Sequence, residues 1–435
     1  MLIPAARLLW LAGALLALAV IASAFPDLLV AWIVVVALAA VFVAADGHAA
    51  LRIAPPAAKR LLPGSLALGV RHEVTLRFAN AVAAPLVLDV CDHTPAGAVT
   101  DGLPQRLTVP GAGWAEIRYG MRPVARGDLA FGLVEARIAS RAGLWQLRRM
   151  LGEPTLTRVY PNFAALTKFA LLATDNRLSQ LGILQRRRRG EGLDFHQLRD
   201  YREGDTPRQV DWNATARMAK LISREYQDER DQQVVLLIDC GRRMAAQDAA
   251  LSHFDCVLNA ALLLAYVSVR QGDAVGFLTM SGEERWFAPR KSASTLSLIL
   301  NRVYDLAPTL HTTDYYAAAV SLMKRVKKRA LVIVLTNLRD EDDDALGPAL
   351  QLLQSRHLVL FASLREAILS RALATRVTDF ERALTHAAAA DYLQQRELAF
   401  RRLERSGAVC LDVEPEDLPV ALVNRYIDIK RSGRL

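Results

Sequence analysis

At 435 residues the chain is long enough for two or three domains with substantial cores. Its 52% hydrophobic content is slightly high for a soluble protein, the excess lies at the N-terminus, and a net charge of +9 points to anionic partners such as a membrane surface or nucleic acid. The four cysteines, Cys91, Cys240, Cys256 and Cys410, have no CxxC or metal-ligand spacing, so free thiols in a reducing compartment are expected rather than a disulfide framework.

Two apolar runs open the chain, Leu8 to Phe25 and Leu28 to Ala45, separated by Pro26 and Asp27. Each is about long enough to cross a bilayer core, and residues 1–50 read as a transmembrane helical hairpin with Trp10 and Trp32 as interface or packing residues. Arg7 precedes the first run, and Arg52, Lys59 and Arg60 follow the second, whereas the connecting loop carries no positive charge. The positive-inside rule then puts both ends and all that follows in the cytoplasm, at the inner (cytoplasmic) membrane. Ala22, Ser23 and Ala24 also resemble a signal-peptide cleavage site, and cleavage there would leave the second span with the same orientation.

Residues 51–160 change texture. Short alternating runs at Glu73 to Phe78, Pro85 to Val90, Ala115 to Tyr119 and Leu133 to Ile138 are separated by Pro and Gly clusters, which predicts a β-sandwich of immunoglobulin-like size. Nothing in it carries chemistry, so a spacer or interaction module is expected. Residues 161–231 form a link. It contains Arg186, Arg187, Arg188 and Arg189, a run suited to phosphate groups of lipid or nucleic acid, or equally to a solvated turn. No aromatic residues interleave the run and no nucleic-acid fold surrounds it, which argues against nucleic acid.

From residue 232 to 435 strands and helices alternate. Buried strands are expected at Val234 to Ile238, Ala274 to Met280, Ala330 to Thr336, Leu358 to Ala362 and Ala408 to Val413, and an edge strand at Arg285 to Ala288. Helices are expected at Phe254 to Val269, Ser294 to Tyr304, Asp314 to Val326 and Phe380 to Arg405. The fold class is α/β, with an open doubly wound sheet following the hairpin and the sandwich-like region. In such sheets ligands bind beyond the carboxyl ends of the strands, where Asp239 to Met244, His311 to Asp314 and Thr336 to Asp340 would converge.

This layout resembles the von Willebrand factor A domain family, whose metal site takes Asp-x-Ser-x-Ser after the first strand, a Thr from a later loop and an Asp after the fourth strand. The resemblance puts Asp239 at the first ligand position and Thr312 or Thr313 at the threonine position. Gly241 and Arg243 stand where the serines would be, and Asn337 where the last Asp would be. A site without metal is therefore expected, with Asp239 either facing a guanidinium or capping the helix that follows, Arg243 then being a surface side chain. The chain has no P-loop, no GxGxxG after the first strand, no GxSxG and no HExxH, so no catalytic residue and no cofactor is assigned.

Gly192 to Arg217 packs Asp, Arg, Gly, Tyr and Trp more densely than an ordinary helix or loop. Leu198 to Tyr201 reads as helical or turn-like, Trp212 as an anchor to bury against the neighbouring sheet, Arg199 or Arg208 as partners for Asp205 or Asp211, and Arg217 as a partner for Asp211. The stretch closely resembles the signature of the domain of unknown function 58 family. The matching positions are Gly192, Asp194, Phe195, Leu198, Arg199, Tyr201, Gly204, Asp205, Arg208, Val210, Asp211, Trp212, Ala214, Thr215, Ala216 and Arg217.

The resemblance implies a membrane-anchored, non-catalytic adaptor that binds a MoxR-type AAA+ ATPase or its client. The stretch would then be an interdomain clasp or the partner surface. The competing expectations are a metal-dependent hydrolase and an anionic-lipid-binding module.

Overall fold

The computed structural model describes residues 1–93, 95–161, 194–202, 210–227, 232–248, 251–339 and 343–434. The chain divides into two units, Met1–Tyr160 and Pro161–Leu435.

The first unit opens with a short strand β1 (Leu2–Pro4) and two helices, α1 (Ala6–Ala24) and α2 (Leu29–Leu51), joined by a 3-10 turn. At 19 and 23 residues, both helices are long and apolar enough to cross a membrane, and almost none of their surface is buried. A helix satisfies its backbone hydrogen bonds internally, so exposed apolar side chains such as Leu16 and Leu38 fit a lipid surround. These two helices suggest membrane anchoring.

Eleven strands follow: β2 (Ala57–Leu61), β3 (Ser65–Ala67), β4 (His72–Ala79), β5 (Leu86–Asp92), β6 (Ala98–Asp101), β7 (Gln105–Val109), β8 (Trp114–Pro123), β9 (Gly127–Phe131), β10 (Val134–Ala139), β11 (Trp145–Leu151) and β12 (Thr155–Tyr160). They form a five-stranded sheet β1-β11-β10-β5-β7, a four-stranded sheet β2-β4-β8-β6 and a three-stranded sheet β3-β12-β9. Alternation decides which faces turn inward. Val74, Leu76 and Phe78 of β4 and Leu88 and Val90 of β5 are fully buried, while Glu73 and Arg77 point out. One ion pair is also inside. Arg60 clasps Asp92 bidentately at 2.9 and 2.6 Å, and the Tyr119 hydroxyl donates to the same carboxylate at 2.6 Å, so the buried charge is fully met.

The second unit begins with the antiparallel pair β13 (Asp194–Asp200) and β14 (Ile222–Gln227), with α3 (Trp212–Met218) between them in sequence. A six-stranded sheet follows: β15 (Gln233–Asp239), β16 (Ala274–Met280), β17 (Trp286–Arg290), β18 (Leu331–Thr336), β19 (Leu358–Leu364) and β20 (Val409–Val413). Its helices are α4 (His253–Arg270), α5 (Thr295–Val303), α6 (Tyr315–Arg325), α7 (Asp343–Gln354), α8 (Ala367–Ala374), α9 (Phe380–Arg405) and α10 (Leu418–Arg431).

The strand order is β17-β16-β15-β18-β19-β20, all parallel except the antiparallel edge β17. The chain starts at the centre, winds out to one edge, then returns to the other side, so the order reverses between β15 and β18. Both faces are covered, which is why β15 and β18 read as continuous apolar runs. Tyr315 and Leu322 of α6, Leu350 of α7 and Phe400 of α9 pack on one face against Leu237, Val334 and Phe361. Helix α4 packs on the opposite face, against β15 and β16, with α5 and α10 beside it. Although α4 is itself apolar enough to span a membrane, two thirds of it is buried in this fold.

Candidate functional site

The reversal point puts the carboxyl end of β15 beside that of β18, and Asp239 ends β15 there with 1% of its surface exposed. Its Oδ1 accepts from the Gly241 amide at 2.8 Å and from the Thr313 hydroxyl at 2.6 Å. Its Oδ2 accepts from the Thr336 hydroxyl at 2.6 Å. A hydroxyl has one proton, so Thr336 can only accept from Tyr315, whose hydroxyl lies 3.0 Å away, and Thr313 accepts from Ser281 at 3.0 Å. Two relays of hydroxyls thus point at one carboxylate. Ser281 takes a positive φ of 69°, strained for a residue with a Cβ, and that conformation ends β16 at the relay.

The loop before α6 is pinned along its length. The Thr309 amide and hydroxyl both donate to the Cys240 carbonyl, at 2.7 and 3.0 Å, and the Arg242 amide donates to the His311 carbonyl at 3.0 Å. Between these fixed points Leu310 is 91% exposed.

Of the six strand-end positions singled out in the sequence, Asp239, Gly241 and Thr313 come together. Thr312 is exposed and contributes its carbonyl to Ser281, and Arg243 lies half-buried in the 3-10 turn Arg242–Ala245. Asn337 goes elsewhere. Its Nδ2 donates to Glu366 Oε1 at 2.9 Å and lies 3.5 Å from His253 Nδ1, while His253 Nε2 is 2.8 Å from Asp248. The three strand-end segments thus meet as expected, through Asp239, Thr313 and Thr336, while the Asn337 side chain joins a second cluster. Thr336, Tyr315, Ser281, Asp248, His253 and Glu366 were not assigned from sequence. Threonine and tyrosine beside strand ends were the available signal, but only the three-dimensional register selects them.

These residues fit a magnesium-type ion poorly. A Cβ at Gly241 would lie 2.4 Å from Thr313 Oγ1 and 3.0 Å from Asp239 Oδ1, so no serine side chain fits there, and Asn337 is turned toward Glu366. Among the described residues, no group of three or more His, Cys, Asp or Glu side chains is arranged to hold a metal ion.

The dense sequence stretch is only partly described. Gly192, Gly204, Asp205, Arg208 and the run Arg186, Arg187, Arg188 and Arg189 lie outside the described residues. Asp194, Phe195, Leu198 and Arg199 belong to strand β13, which corrects the helical or turn-like expectation for Leu198 to Tyr201; the Tyr201 amide continues the pairing by donating to Leu221 O at 2.9 Å. Asp211 is the N-cap of α3. Its carboxylate accepts from the Ala214 amide at 2.9 Å and pairs with Arg224 at 2.8 Å, not with Arg217, which sits exposed in the last turn. That amide and Arg224 hold the Asp211 carboxyl below its ordinary pKa. Thr215 Oγ1 accepts from the Ile222 amide at 3.0 Å, stitching α3 to β14. Trp212 is 67% exposed, which corrects its expected role as a buried anchor, because Val210 and Asp211 bridge to β14 and leave the next side chain facing out.

Residues 197–402, just under half of the chain, match the family model described as Protein of unknown function DUF58. That match supports the family to which the signature residues point. No curated protein matches the chain. Similar solved structures include an α2-macroglobulin of Escherichia coli spanning domain MG7 to the C-terminus, at 17% identity over 25% of this chain and 17% of that one, TM-score 0.21. Another is a FixG-related protein from Vibrio parahaemolyticus, at 8% identity over 25% of this chain and 98% of that one, TM-score 0.18. A third is the cupredoxin domain of amoB from Nitrosocaldus yellowstonii, at 16% identity over 20% of this chain and 54% of that one, TM-score 0.14. The chain thus spans under a fifth of the first of these, and likenesses this slight carry no argument about fold or role.

Proposed function

We propose that the protein is a non-catalytic adaptor anchored in the inner (cytoplasmic) membrane, its main domains facing the cytoplasm. Its α/β domain is von Willebrand factor A-like and binds a MoxR-type AAA+ ATPase or that ATPase's client. The strand order with a central first strand and an antiparallel edge supports the A-like reading, as does Asp239 at the first ligand position. The observation that carries the binding role is Leu310. It is 91% exposed, yet its neighbours on both sides are hydrogen-bonded to Cys240 and Arg242, just after β15. With the loop backbone already pinned on both sides, burying this apolar side chain against a partner costs only the ordering of the side chain itself. The buried and internally bonded Asp239 favours a structural carboxylate over a catalytic one.

The test is retention of a MoxR-type ATPase on the full chain purified from membranes, with and without ATP. Leu310→Asp is expected to lower retention at least tenfold with the melting temperature unchanged. Retention equal to that of the unsubstituted chain would remove Leu310 from the interface, and no retention by either chain would sink the ATPase reading.

A further inference from the structure

The two apolar helices do not hang from the sandwich on a loose tether. Strand β1, just before α1, pairs antiparallel with β11, setting Leu2 opposite Leu147 and Pro4 opposite Trp145. The Ala5 amide donates to the Leu144 carbonyl at 2.9 Å. On the other helix, Asp46 is 7% exposed, its Oδ2 accepting from Ser140 Oγ at 2.6 Å and its Oδ1 from the Ala142 amide at 3.1 Å. The Trp145 indole donates to the α2 carbonyl of Val43 at 3.0 Å. Gly47 permits this approach, since a Cβ there would meet Trp145 Nε1 at 3.1 Å. Both helix ends are therefore bolted to one feature, the β10–β11 turn at Ser140–Leu144.

The level of the bolt matters. Arg7 and Asp46 each lie about 18 residues from the turn joining the helices, or roughly 27 Å along a helix axis. That is close to the ~30 Å of a bilayer's hydrocarbon core. Arg7, exposed, extends over the turn, donating to the Ala142 carbonyl at 3.4 Å, and Arg141 at the tip is also exposed. Gly143 has φ +72°, and a Cβ there would lie 2.9 Å from Arg7 Nη1.

We propose that the β10–β11 turn is a lipid-headgroup contact surface, held in the phosphate layer of the bilayer by the Asp46 lock, with Arg7 and Arg141 as its phosphate-facing cations. The proposal rests on the membrane-anchored reading. It makes the sandwich part of the anchor, with β10 and β11 rising from the headgroups rather than moving freely above them.

An environment-sensitive fluorescent residue, genetically encoded at Arg141, Glu153 or Leu38 of the full chain in phospholipid nanodiscs, tests this. Glu153 follows the far end of β11, roughly 20 Å from the turn at the strand rise. Leu38 reports insertion of the hairpin. Spin labels on lipid headgroups are expected to quench the probe at 141 at least threefold more than at 153, and acyl-chain labels to quench at 38. Equal headgroup quenching at 141 and 153, with 38 quenched, overturns the proposal alone. An unquenched 38 overturns the anchoring reading and the proposal with it. Asp46→Ala is expected to bring quenching at 141 down to the level at 153, and unchanged quenching would overturn the lock. Should that variant not insert, Ser140→Ala, which removes one hydrogen bond of the same lock, is expected to lower quenching at 141, and an unchanged value counts against the lock equally.

Discussion

Gly241 is small because its neighbours leave no room for more. Its φ of −73° suits any residue, so the constraint is contact alone: a methyl group would press on the Thr313 hydroxyl and the Asp239 carboxylate. Gly241→Ala is expected to cost about 1–3 kcal/mol through overpacking, seen as a lower melting temperature of the α/β unit. A second residue-scale effect concerns pH. Glu135, buried in the outer face of β10, is bonded by Arg148 at 2.7 Å, Arg137 at 3.1 Å and His93 at 3.1 Å. The Arg148 hydrogen bond is the largest influence, and these three hydrogen bonds, working against the effect of burial, hold its carboxyl down to about 2. A folded-state pKa below the unfolded one gives stability that is present above about 4.5 and lost as pH falls toward 2. Glu135→Gln should therefore melt below the unsubstituted chain at pH 6, and the two curves should converge by pH 2. At this scale Asp239 was legible as a carboxylate ending an apolar run, while the sequence left Thr312 and Thr313 as alternatives and only the structure picks Thr313. Asn337 was misplaced because sequence gives the strand it follows but not the side on which its amide finds a partner. Trp212 was misjudged for a related reason: its size argued for burial, while the backbone bridges on either side of Asp211 decide where it points.

Among the elements, α9 does more than cover the sheet. Arg396 projects from it, 4% exposed, and donates to Leu338 O, to Ser363 Oγ and Leu364 O at 2.7 Å each, and to Asp412 at 2.8 Å. One guanidinium thereby ties the ends of β18, β19 and β20 and satisfies carbonyls that the parallel ladder leaves open. Removing it would leave two carbonyls without this donor and Asp412, part-exposed, with only Arg365 at 4.0 Å, so Arg396→Ala is expected to cost about 1–3 kcal/mol, measured as a lower urea midpoint of the α/β unit. Arg396→Lys should recover only part of this, because an ammonium cannot present a planar fork. The sheet and this long helix were readable in advance: unbroken apolar runs of strand length demand burial on both faces, and α9 runs from Phe380 to Arg405 as expected. Strand β13 was not. Its Leu198 to Asp200 segment carries no alternation, and its extended form comes from pairing with β14 more than twenty residues later.

For the whole molecule, the apolar helices were plain from composition, whereas their attachment was hidden. Three residues before the first helix carry no strand signal of their own, and their partner β11 lies some 140 positions away. That attachment has a consequence for folding. Strand β1 pairs with Trp145, Gln146 and Leu147, and the Arg148 amide donates to the Met1 carbonyl; without that cover the unpaired edge grows to all seven residues of Trp145–Leu151. Unpaired edges of that length recruit other strands. A chain starting at Arg52 would also leave Ser140 without Asp46 and the Trp145 indole without the Val43 carbonyl. It is expected to melt lower in its sandwich transition and to form oligomers by light scattering, while the α/β unit's own transition stays put. Loss of the membrane segment alone could not produce the same outcome in a second chain lacking only Met1 to Pro4, which keeps both helices and uncovers the same edge. If that shorter deletion leaves both the sandwich transition and the oligomeric state unchanged, the edge is not what β1 protects, and the helices would be doing the work through Asp46 and Trp145.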